Sequence, residues 1–139
     1  MVHTCIAVVL LSLIGAIFSG PSCASDKPQP GNRYKIVGPL YLTGVYKDLN
    51  DRRQPSFADL SPVQSSGPEV AFLQKVALGT IITIVSPAPK RLPLFFFEDR
   101  YFIRLEPTDL PSGLDVILSL YRGNEGNLDG LNPALFSRP

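Results

Sequence analysis

Apolar residues fall in short runs broken at close intervals by proline and glycine, a pattern that predicts strands rather than helices. Tyr34–Val37 and Leu40–Lys47, separated by Gly38-Pro39, read as one interrupted strand or as two short ones. In the second run Leu40, Leu42 and Gly44 alternate with Tyr41, Thr43 and Val45, so both faces carry apolar residues. Residues 48–68 are polar and turn-rich and predict a long, insertion-like loop, with a helical turn near Ser56–Leu60 capped by Ser56. Glu69–Lys75 fits a strand or a helical turn. Thr80–Val85 is a strong strand by its β-branched content, with Ile82 and Ile84 opposed to Ile81, Thr83 and Val85, and both faces are expected to be buried.

Pro87, Pro89 and Pro93 take the chain out of the sheet. Leu94–Leu105 then has two parses. As one strand, Phe95, Phe97, Tyr101, Ile103 and Leu105 share a face, and a bulge at Asp99 would absorb the charge. As a hairpin, Glu98-Asp99-Arg100 turns the chain from Leu94–Phe97 into Tyr101–Glu106, and three charged residues inside an apolar run favour this parse. Leu114–Tyr121 alternates as a half-buried closing strand does. The last 18 residues carry turn chemistry, with Leu128, Leu131, Leu135 and Phe136 placed to fold back as a lid.

These elements centre on Val76–Pro107, which holds four of the eight Phe residues. The expected fold is mainly β: a small antiparallel barrel or sandwich of five to seven short strands in a single domain, 33–139. Eleven Gly and 14 Pro in 139 residues agree with short strands joined by turns.

The N-terminus departs from this pattern. Cys5–Phe18 is apolar apart from Ser12, and as a helix it would span about 21 Å, short of the roughly 30 Å of a bilayer core. Residues 1–24 therefore read as a signal peptide and 25–32 as a flexible linker. Processing has two alternatives. Cleavage after Ala24 uses Ser22 and Ala24 as the small residues. Cleavage before Cys23 would leave that cysteine to be lipidated. Gly20-Pro21-Ser22-Cys23 resembles a bacterial lipoprotein processing box: Ser22 matches the small residue before the cysteine, while Gly20 and Pro21 depart from the usual residues. The resemblance implies a lipid anchor on Cys23 and a place in the cell envelope, periplasmic or membrane-bound; cleavage after Ala24 implies secretion. Cys5 lies in the leader, so Cys23 has no partner for a disulfide within the domain.

Charge narrows the partners. Thirteen basic residues nearly balance 12 acidic ones, all beyond residue 25, and this dispersed balance gives nucleic acid no basic face. His3 is the only histidine and lies in the leader. A mature Ser-His-Asp or Cys-His arrangement and a His-ligated zinc site are thereby excluded. No phosphate-binding glycine loop or nucleophile elbow occurs. Glu98, Asp99 and Glu106 are the one acid/base grouping close in sequence, though turn and strand-end charges are ordinarily solvated. Asn124–Gly130 has the oxygen donors and glycines of a calcium loop, but the spacing fails and no terminal Glu follows. No cofactor and no metal is implied.

By elimination the chain reads as a non-catalytic protein-binding domain, such as an inhibitor or immunity protein docking on a partner enzyme or toxin. The alternative is a structural or assembly lipoprotein of an envelope complex. Arginine and aromatic residues dominate interface energetics. The partner-binding candidates are Arg52, Arg53, Lys90, Arg91, Phe96, Arg100, Tyr101 and Arg104.

Overall fold

The computed structural model describes residues 27–90, 99–120, 126 and 128–139. Eight strands make one mixed sheet: β1 Arg33–Ile36, β2 Tyr41–Val45, β3 Phe57–Ser61, β4 Val70–Lys75, β5 Ile81–Pro87, β6 Asp99–Glu106, β7 Val116–Leu120 and β8 Phe136–Ser137. Their order is β4-β2-β3-β7-β6-β5-β1-β8. No helix occurs among the described residues.

The architecture follows from two bent strands. β1 and β2 are successive halves of one strand, and β5 and β4 are successive halves of its antiparallel neighbour. Lys35 lies opposite Ile81 and Tyr41 opposite Lys75, so six residues forward on one strand match six back on the other. The bend is bridged by backbone bonds from Ile36 N–H to the Thr80 carbonyl, 2.8 Å, and from Val76 N–H to the Leu40 carbonyl, 2.9 Å. The pairs β2·β4 and β1·β5 thus stand at opposite ends of the sheet and are drawn together around one core. The terminal strands β4 and β8 share no ladder.

Gly38-Pro39 sits at this bend for steric reasons. A Cβ on Gly38 would run into the Ala134 carbonyl, where the C-terminal segment crosses and Val37 N–H donates to the Leu135 carbonyl at 2.8 Å. Gly44 has a similar duty across the β2·β4 pair, because the Phe72 ring lies over it where a Cβ would stand. The core collects Tyr34, Ile36, Leu40, Leu42, Leu60, Ile82, Ile84, Ile103, Leu118 and Phe136 from seven strands and the β1–β2 bend.

Several expectations are corrected. The sheet has eight strands, it is not closed into a barrel, and it is not wholly antiparallel: β3 and β7 run parallel, with Ala58 opposite Val116. The parallel step is forced where two antiparallel series meet, β3 set by β2 and β7 set by β6. The 48–68 loop hides a strand, and Ser56–Leu60 holds no helical turn. Ser56 N–H donates to the Val45 carbonyl, and β3 pairs with all of β2. Glu69–Lys75 resolves as a strand after a bend. Asp99 and Arg100 are strand residues opposite Leu120 and Ser119 rather than turn residues, and Glu98 lies outside the described residues. The rest of the proposed Leu94–Phe97 arm falls outside the described residues. β7 does not close the sheet. It lies between β3 and β6 and is buried along its whole length.

The C-terminal residues do fold back. Leu131 and Phe136 are buried, β8 pairs with β1, and Asp129 accepts a 2.8 Å hydrogen bond from the Tyr34 hydroxyl and a 3.1 Å ion pair from Arg138. Asp129 holds φ at 54°, a left-handed turn that the Asn/Asp chemistry of the segment tolerates.

Candidate functional site

On β1, β5 and β6 the sheet presents a solvent-facing side that carries charge. Alternation in β1 sends Tyr34 and Ile36 inward and leaves Arg33 and Lys35 outside. The registers then place Arg33, Thr83 and Arg104 in one row across three strands, and Lys35, Ile81 and Glu106 in the next. Two strand spacings separate the backbones of Arg33 and Arg104, about 10 Å.

β5 carries a bulge between Ile84 and Ser86, which leaves Val85 47 % exposed beside this row. The expectation of burial on both faces of β5 therefore holds on one face alone. Phe102, two residues before Arg104, is half-buried on the same side. The 108–115 loop forms the opposite wall of a groove of about 430 Å³, with Val85, Phe102, Arg104, Leu110, Leu114 and Asp115 among its lining.

Arg33 reaches Glu106 at 3.4 Å with both side chains about half exposed. Such a pair contributes at most ~1 kcal/mol. Arg104 is exposed and makes no ion pair or hydrogen bond through its side chain with the described residues.

The other candidates have different positions. Arg53 is held by Asp51 through two bonds of 2.8 and 2.9 Å. That pairing lowers the Asp51 carboxyl from its ordinary range and raises the Arg53 guanidinium. Arg52 Nε donates to the Leu49 carbonyl at 3.1 Å, and both arginines remain on an exposed loop. Lys90 is exposed. Arg91, Phe96 and Cys23 lie outside the described residues.

Arg100 and Tyr101 do not face solvent. Arg100 is 9 % exposed, donates from Nη1 to the Pro89 carbonyl at 2.9 Å and lies 5.9 Å from the centre of the Phe57 ring. Tyr101 is 6 % exposed and belongs to the core. Burial is the largest cause of the raised pKa of its hydroxyl.

Asp99 and Glu106 occupy opposite ends of β6, some seven strand steps or about 24 Å apart, so they cannot act as one acid/base pair. Asp99 is engaged by Lys27 at 2.9 Å. Their hydrogen bond is the largest cause of the raised Lys27 pKa. Glu98 lies outside the described residues. Among the described residues no three metal-ligating side chains come together.

Of the predicted candidates among the described residues, the open face contains Arg104 alone. Arg33, Lys35, Thr83 and Val85 join it through register. The available signal was the alternation Arg-Tyr-Lys-Ile at 33–36, which marks one charged and one apolar side. No known protein family, characterised protein or solved structure matches the chain.

Proposed function

We propose that the chain is an exported, lipid-anchored protein of the bacterial cell envelope whose β-domain binds another protein without catalysing a reaction, as an inhibitor or immunity protein does on its partner enzyme or toxin. Export and anchoring rest on the apolar run Cys5–Phe18 and on the small residues before Cys23. The non-catalytic reading rests on a mature chain without histidine.

One observation supports binding above the rest. Arg104 stands in solvent without an ion partner among the described residues, at the edge of a groove with apolar walls. An arginine beside half-buried apolar side chains is the composition in which interface energy concentrates.

Intact mass of the protein extracted from envelopes tests the anchor. Diacylglycerol on Cys23 is the expected result, and an unmodified N-terminus at Ser25 would reject it. Immobilised domain should retain one stoichiometric enzyme or toxin from an envelope extract and inhibit it. Retention of several envelope components with no inhibition would move the chain to an assembly role.

A further inference from the structure

We infer that the open face of β1, β5 and β6 receives an acidic segment of the partner, with its carboxylates on Arg104 and Arg33 and an apolar side chain seated between Val85, Phe102 and Leu110. The inference rests on the protein-binding reading and names the chemistry of the partner.

Charge gives the first reason. The two rows carry Arg33, Lys35 and Arg104 against Glu106, and Asp115 lines the groove beside Arg104, so basic side chains outnumber acidic ones there by three to two. Arg33 can exchange its long, exposed bond to Glu106 for an incoming carboxylate at little cost. A guanidinium presents a planar fork that matches a carboxylate through two parallel bonds, so arginine rather than lysine at both ends of the Arg33–Thr83–Arg104 row suits this partner.

Shape gives the second. A lipid-binding patch gathers about four to eight basic residues on a surface that meets headgroups broadly. Here one arginine, Arg104, lines a groove walled by Leu110 and Leu114, and Arg33 and Lys35 stand two strands away, which fits a protruding side chain better than a membrane plane. Neighbouring carboxylates on an extended partner strand repeat at about 7 Å on one side, comparable to the separation that two flexible arginines can bridge.

Three short synthetic peptides of equal length, alternating Leu with Glu, with Ser or with Lys, test this when titrated into isotope-labelled domain. The Glu peptide should shift the amides of Arg33, Thr83, Phe102 and Arg104, and its affinity should fall at least about tenfold in Arg104→Glu and in Arg33→Glu. Arg52→Glu, on the 48–56 loop, should leave it unchanged. Thermal unfolding of each variant verifies that the fold is intact.

Equal binding of the Glu and Ser peptides would overturn the inference. So would loss of the same amide signals on phosphatidylglycerol vesicles with no response to the Glu peptide. A stoichiometric envelope partner retained equally by both charge-reversed variants would remove this face while leaving the protein-binding reading in place. Failure to retain any envelope protein would count against that reading itself.

Discussion

On β3 and β7 the face turned away from the core is as dry as the core, whereas on β1, β5 and β6 it is open to water. Asp59, Ser61, Ile117 and Ser119 are all buried on that outer side of β3 and β7, with Thr43 buried beside them on β2. Their polar groups depend on partners inside the protein: the Ser119 hydroxyl donates to Asp59 at 3.0 Å, while the buried Thr43 hydroxyl has no hydrogen-bond partner among the described residues. Arg33, Lys35, Val85 and Arg104 hold equivalent outward positions on the other half, where they are open to solvent to differing degrees. The same strand chemistry therefore serves two ends. In one half outward side chains fix the register, and in the other they are free to meet a partner.

The comparison sets an order of expected losses. Leu60, fully buried between two dry faces, should cost about 2–5 kcal/mol as Leu60→Ala, read from denaturant unfolding. A loss below that range would mean that β3 is looser than its burial indicates. Ser119→Ala removes a donor from the buried Asp59 carboxylate and should cost about 1–3 kcal/mol. If its effect matches that of an exposed serine such as Ser112, the outer side of β7 is wet.

Tyr34→Phe comes next, at about 0.5–1.5 kcal/mol for the bond to Asp129 that ties the C-terminal segment to β1. Burial first, and then the Asp129 hydrogen bond and charge, raise the Tyr34 pKa above the ordinary 10 of a tyrosine. Above pH ~10 the unfolded chain loses this proton while the folded chain keeps it, so stability falls as pH rises through that region. The Phe variant should lose stability less steeply there in pH-dependent melting, with Tyr101 supplying a remaining part of the fall. An unchanged alkaline slope would show that Tyr34 ionises as freely folded as unfolded.

Arg104→Glu should be the mildest in stability, within about 0.5 kcal/mol, because the side chain is exposed and unpaired among the described residues. A larger destabilisation would give Arg104 a structural duty and bring the two halves closer in character.

Legibility in the sequence followed the same division. Alternation separated Ile82 and Ile84 from Ile81, Thr83 and Val85 without saying which side was core, and the single-strand parse put Tyr101, Ile103 and Leu105 on one side. β3 was hidden because Asp59 and Ser61, which look like loop residues, are buried on its second face. Arg100 was misleading for the related reason that a charged residue next to Glu98 and Asp99 resembles a turn. Its guanidinium instead reaches a backbone carbonyl across the sheet. Arg104 was legible as a candidate, while Arg33 and Thr83 were not, because they become its neighbours only through pairing between residues far apart in the chain.

Sequence by itself determined that this chain is mainly β, where most of its strands fall, and that its one histidine is His3. Those properties are local: period-two alternation, proline and glycine positions, and residue type. Tertiary structure alone decided that β7 runs parallel beside β3, that the two bent strands draw the ends of the sheet together, and which outward side stays open. Strand order and register are fixed by long-range pairing and by competition for burial, so no short stretch contains them. The Arg33–Thr83–Arg104 row exists only because three distant strands came into register.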